Sequence, residues 1–170
     1  VVAYAKELIE SGKMGNLVSF RASYDTDGLA DPEAPHAWRM LAKNSKIGSM
    51  GDLAAHILSI SQYLLGDITS VSGMTKVVYK QRKDANGTVQ PVENDDVAQF
   101  ICTYANGGMG YISSSRVAPG RKQGEVFEAQ FTKGIITFNL ERINEINIYL
   151  NEGASKNQGF KNIIVAPGHG

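Results

Sequence analysis

Hydrophobic positions recur along this chain at two different spacings, and the change from one to the other divides it into an early helical part and a long sheet-forming part. Between Gly48 and Gly66 the sequence reads GSMGDLAAHILSISQYLLG, in which Leu53, Ile57, Ile60 and Leu64 form the stripe of a core-facing helix. Gly66 stands where such a helix should stop. Val2 to Ser11, with Tyr4, Ala5, Leu8 and Ile9, predicts a shorter helix closed by Gly12. Asn16 to Tyr24 then alternates Val18, Phe20, Ala22 and Tyr24 against Leu17, Ser19, Arg21 and Ser23, the period of a strand with one face better buried. Asp25 to Ile47 shows neither spacing and predicts a long loop, which carries the sole tryptophan, Trp38, next to Arg39. A loop of that length in a compact domain is usually functional or disordered.

After the second helix almost everything predicts strand. Ile68 to Lys80 comes first, followed by the turn signal Asp84-Ala85-Asn86-Gly87, so that Lys76, Lys80, Arg82 and Lys83 are expected to solvate a hairpin tip. Asp96 to Ala105 and Met109 to Val117 flank Asn106-Gly107-Gly108, Glu125 to Thr132 and Ile135 to Leu140 flank Lys133-Gly134, and Glu145 to Asn151 follows. Phe127, Ala129, Phe131, Ile136, Phe138, Leu140, Ile146, Ile148 and Leu150 share one face of these strands. Two early helices before a run of hairpins predict an α+β fold: an open, mainly antiparallel sheet with helices packed on one face. The opposite face, with Thr137, Asn139, Asn147 and Tyr149, is either solvated or paired with a second copy of the chain.

At 170 residues the chain suffices for a single domain, residues 1–170. Its 17 Lys+Arg balance 17 Asp+Glu, which argues against a nucleic-acid or acidic-membrane partner. One cysteine, Cys102, permits no internal disulfide and suits a reducing, cytoplasmic setting. No apolar run is long enough to span a bilayer. The chain opens on a helical pattern with Val rather than Met and stops in APGHG, so both ends read as cut from something longer.

Asp52 and His56, four residues apart on the second helix, lie on one side of it about a turn apart, together with Ser59 and Tyr63. Two readings of each residue stand. Ser49-x-x-Asp52 has the form of a capping box, in which Asp52 only serves the helix start; and a lone histidine beside an apolar stripe is often a hydrogen-bonded core residue. Alternatively the pair acts on one small molecule. His36, Asp52 and His56 are compatible with zinc ligation only if a loop histidine supplies the third ligand, so no metal site is assigned. Gly107-Gly108-Met109-Gly110 lies between strands, where a dinucleotide-binding loop needs a strand and a helix.

Trp38-Arg39, Gly51-Asp52-Leu53-x-x-His56-Ile57 and Leu64-Leu65-Gly66 resemble the substrate domain of the Gfo/Idh/MocA oxidoreductases. Asn94-Asp95-Asp96, Ala105 to Gly110, Ser115-Arg116, Lys133-Gly134 and Glu141 to Glu145 follow in the order of that family, as does Glu10 to Gly15 at the first helix end. The resemblance implies a glyceraldehyde-3-phosphate-dehydrogenase-like C-terminal domain of an enzyme that oxidises or reduces a sugar, polyol or related hydroxy compound. It implies NAD or NADP as cofactor, bound by an N-terminal Rossmann domain that also supplies a lysine. No cofactor-binding residue is expected in this chain, which alone should be inactive. His56 would be the general base and Asp52 would orient the substrate hydroxyl or the imidazole, with Trp38, Arg39 and Arg116 lining the substrate side. A homodimer or homotetramer through the open sheet face is expected. The alternative is a non-catalytic, ligand-sensing or regulatory member of the same fold. Ser49 and Met50 stand where the family commonly continues its glycines, which leaves the substrate open.

Overall fold

The structure, a computed structural model, describes residues 1–169; Gly170, the last residue of the turn-rich tail, lies outside them. Helix α1 spans Val2–Glu10 and strand β1 Leu17–Asp25, and after the long loop a π-helical turn over Met50–Ala54 runs directly into α2, Ala55–Leu65. Strands β2 (Ile68–Lys76), β3 (Gln81–Lys83), β4 (Val89–Pro91), β5 (Val97–Tyr104), β6 (Met109–Ser115), β7 (Gly124–Phe131), β8 (Gly134–Asn139), β9 (Glu145–Leu150) and β10 (Lys161–Ile164) follow. All but β3 and β4 join one sheet in the order β10-β9-β8-β7-β1-β6-β5-β2. Every pairing is antiparallel except that of β1 with β6, which places a strand from the start of the chain in the middle of the sheet.

Alternation explains which side carries the core. Phe20 and Ala22 of β1, Phe100, Cys102 and Tyr104 of β5, Phe127, Ala129 and Phe131 of β7, and Ile136 and Phe138 of β8 are buried against Ala5 of α1 and Ala54, Ile57, Leu64 and Leu65 of the second helical segment. Leu53 and Ile60, expected on the helical stripe, are only half-buried, while Ala54, Ser61 and Leu65 take core positions. The π-helical turn shifts the phase of the first residues relative to an unbroken α-helix. The opposite face carries Arg21, Ser23, Tyr111, Ser113, Glu128 and Thr137 around a shallow concavity.

Three expectations are corrected. The strand predicted to Lys80 ends at Lys76, because the Asp96 carboxylate accepts the N–H groups of Val78 (2.7 Å) and Tyr79 (3.2 Å) and turns the chain away from the sheet. The expected hairpin forms as β3–β4 with Lys80 and Lys83 exposed, but Arg82 is buried in it: its guanidinium donates to the carbonyls of Leu29 (2.6 Å), Asp31 (2.6 Å) and Ala34 (3.1 Å) and lies over the Tyr79 ring. The long loop is therefore laced onto the hairpin, which the His36 N–H reinforces by donating to Lys83 O at 2.8 Å. Finally, β10 was not expected at all. Among the described residues no helix is long and apolar enough to cross a membrane.

Candidate active site

The site begins with how the chain enters the second helical segment. Asp95, just before β5, turns its carboxylate onto this entry: Oδ1 accepts the Gly48 N–H at 2.7 Å, and Oδ2 accepts the Met50 N–H at 2.7 Å and the Ser49 hydroxyl at 3.0 Å. These are the amides a helix start leaves without partners. Gly48 is required by the contact, since a Cβ there would lie 1.9 Å from the Asp95 carbonyl oxygen. Ser49 thus looks inward to Asp95 and is fully buried, and the capping-box reading of Asp52 fails. A carboxylate from a remote strand does the capping, and Asp52 is left facing outward.

The Asp52 side chain is 63% exposed and its polar partner is Arg39, whose Nη1 lies 3.4 Å from Oδ2. An exposed ion pair of that length contributes little and opens readily, so both groups remain available to a ligand. They meet at a cleft of roughly 220 Å³ with Trp38, Gly48, Asn94 and Arg116 in its wall. The Arg39 guanidinium also lies 5.8 Å from the Trp38 ring, a cation–π contact that keeps the two together at the rim. Asn94 anchors this segment by donating to Arg39 O.

Arg116 reaches the same cleft in a different state. It is buried, with Nε donating to Asp96 at 2.9 Å and Nη2 to Asn94 Oδ1 at 2.8 Å. Breaking such a buried pair is costly, so Arg116 shapes the floor of the cleft through those partners. Asp96 in turn fixes Val78 and Tyr79, which ties the cleft to the hairpin and the long loop.

His56 follows Asp52 by four residues on the exposed side of α2 and does not line the cleft. Its ring meets that of Tyr24 edge-on with centroids 5.8 Å apart. The Tyr24 hydroxyl donates to Gln123 at 2.6 Å, and burial followed by the charges of Glu125 and Asp52 pushes its pKa up. Glu125 pairs with Tyr24 across β1 and β7 and is buried, with Oε1 unpartnered. Burial raises its pKa, and the nearby His56 charge opposes the rise. No motif pointed to Glu125, but a signal existed: it falls in phase with Phe127, Ala129 and Phe131, so the strand pattern already put a carboxylate on the core face.

The structure therefore brings Asp52, Arg39, Trp38 and Arg116 to one cleft and leaves His56 outside its lining, packed on Tyr24, the strand neighbour of Glu125. His36 is elsewhere, its Nε2 2.9 Å from Pro91 O. Cys102 is buried and its thiol pushed up by burial, which favours the unreactive protonated form. Among the described residues no three His, Cys, Asp or Glu side chains gather as metal ligands would.

Residues 2–137 match the GFO/IDH/MocA C-terminal domain family. The levoglucosan dehydrogenase of Pseudarthrobacter phenanthrenivorans is 33% identical over 99% of this chain, which spans 46% of the length of that enzyme. A solved levoglucosan dehydrogenase in complex with NADH superposes with a TM-score of 0.94 at 32% identity, covering 98% of this chain and 44% of its own. An NAD binding oxidoreductase from Klebsiella pneumoniae gives 0.93 at 34% identity, covering 96% and 44%.

Proposed function

The chain belongs to the Gfo/Idh/MocA family, whose C-terminal domain it is, and on that premise we propose that it forms the substrate side of a nicotinamide-dependent oxidoreductase acting on a sugar, polyol or related hydroxy compound. The observation that carries this reading is Asp52: relieved of capping by Asp95, it faces a polar cleft one turn from His56. The named relatives, a levoglucosan dehydrogenase and an NAD binding oxidoreductase, support the reaction class and NAD as cofactor.

The residues present do not fit the cofactor's pyrophosphate. The glycines at 107, 108 and 110 lie at the β5–β6 hairpin, and no strand–glycine loop–helix unit occurs among the described residues. The dinucleotide is assigned to a Rossmann domain outside this chain, where it would accept hydride from the substrate carbon. This chain handles the proton and the pose. His56 accepts the proton of the reacting hydroxyl, a task suited to an imidazole whose ordinary pKa is about 6.5. Asp52 accepts a hydrogen bond from a substrate hydroxyl and so fixes the carbon to be oxidised, while Arg39 and Trp38 at the rim offer a donor and an apolar ring face to a sugar. Arg116 keeps the floor in shape. Alone, the chain is expected to turn over no substrate. The open face of the sheet joins two or four copies.

The test is kinetic. His56→Ala in the full-length enzyme is expected to lower kcat by about 100-fold or more, read by nicotinamide absorbance with sugar and polyol substrates. Turnover within a few-fold of wild type would refute the role given to His56.

A further inference from the structure

Among buried polar groups near the site, Glu125 is the one the mechanism leaves unused. It is 7% exposed, lies opposite Tyr24 in the β1–β7 register, and has a carboxylate oxygen without a partner. It lines one cleft with Ile60, which stands one turn beyond His56 on α2. The His56 ring in turn rests on Tyr24. Among the described residues, the rings of His36 and His169 have hydrogen-bond partners and that of His56 has none. A proton acceptor with no hydrogen-bonded orienting group and a buried carboxylate oxygen with no partner thus both neighbour Tyr24.

We propose that Glu125 is a positioning residue for His56, its buried carboxylate holding the imidazole at the edge of the site and stabilising the imidazolium formed when His56 takes the substrate proton. The inference rests on the role of proton acceptor given to His56 above. Four groups face one another here: His56 and Asp52 from the second helical segment, Tyr24 from β1 and Glu125 from β7. Asp52 is exposed and shares its charge with Arg39, whereas Glu125 acts through protein. With an effective dielectric near 20 in place of 80, a charge at a given distance is felt about four times more strongly.

The coupling is measurable without turnover. In this chain, carbon-13 NMR titration of the Glu125 carboxyl is expected to give a higher midpoint in His56→Gln than in wild type, because the imidazolium that favours its ionised form is gone. An unchanged midpoint overturns the proposal. In the full-length enzyme, Glu125→Gln is expected to reduce kcat about 10- to 100-fold, by analogy with the carboxylates that orient metal-bound histidines, with KM nearly constant and an altered pH profile. A wild-type kcat and pH profile also overturns it. The two readings fail separately. Loss of turnover in His56→Ala without any Glu125 coupling removes Glu125 alone, and a coupled pair in a protein whose turnover ignores His56 removes the oxidoreductase mechanism alone.

Discussion

Asp95 governs the site without touching it. Replacing it with Ala strands the N–H groups of Gly48 and Met50, while the Ser49 hydroxyl keeps Ser114 as partner, at about 1–3 kcal/mol for each group left unpaired and buried. Urea denaturation of Asp95→Ala should show a loss of that order, and the variant should lose the orientation of Asp52 with it. Glu125 gives a prediction of opposite sign. Its folded-state pKa is raised by burial, so the folded protein holds the carboxyl proton more tightly than the unfolded chain does. The resulting stability is present below the ordinary carboxylate pKa and is lost as pH rises through the folded value. Glu125→Gln should therefore be more stable than wild type at pH 7 and gain little or nothing at pH 4, as thermal melts at both values would show. At this scale the sequence was most legible where a fixed period connects two residues: the Asp52–His56 spacing followed from one helix. It was least legible where a partner comes from far along the chain, as Asp95 does for Gly48, Asp96 for Arg116 and Tyr24 for Glu125.

Among the elements, the strands could be read because β5 to β9 alternate along most of their length, and alternation is what a sheet covered on one side imposes. Strand β10 escaped because Lys161–Ile164 buries only Ile163, and then only in part, leaving no pattern to detect. The β3–β4 hairpin was foreseen in its turn but not in its purpose. Arg82 looked like one more surface cation, and only the folded loop shows that four carbonyls converge on it. Arg82→Met should cost upward of about 4 kcal/mol, given several hydrogen bonds to a charged group worth roughly 1.5–3 kcal/mol each. Limited proteolysis should then cut between residues 25 and 47 while the sheet remains protected. Because Trp38 and Arg39 ride on that loop, substrate KM should rise more than kcat falls.

For the molecule as a whole, the covered and uncovered faces of the sheet separate two tasks. The helix side builds the site, and the open side presents Ile101, Met109 and Tyr111, each more than 40% exposed, beside the Arg21–Glu128 ion pair. Ile101 and Tyr111 are direct neighbours in the register, as are Tyr111 and Arg21. If copies associate there, Ile101→Glu buries an unpaired charge in the contact and should shift sedimentation toward the monomer. The fold class and the one-sided core could be inferred from local periods. The strand order could not, because nothing local says that β1 lies between β6 and β7.

That insertion of β1 has a price in time. During synthesis its residues leave the ribosome before either neighbour exists, and its partner across the antiparallel side ends only at Phe131. A nascent chain released short of that point holds a central strand with an unfilled hydrogen-bonding edge, the situation in which chaperones are recruited and aggregates nucleate. Refolding should accordingly be slow for a domain of this size, since the sheet closes only when contacts more than a hundred residues apart have formed.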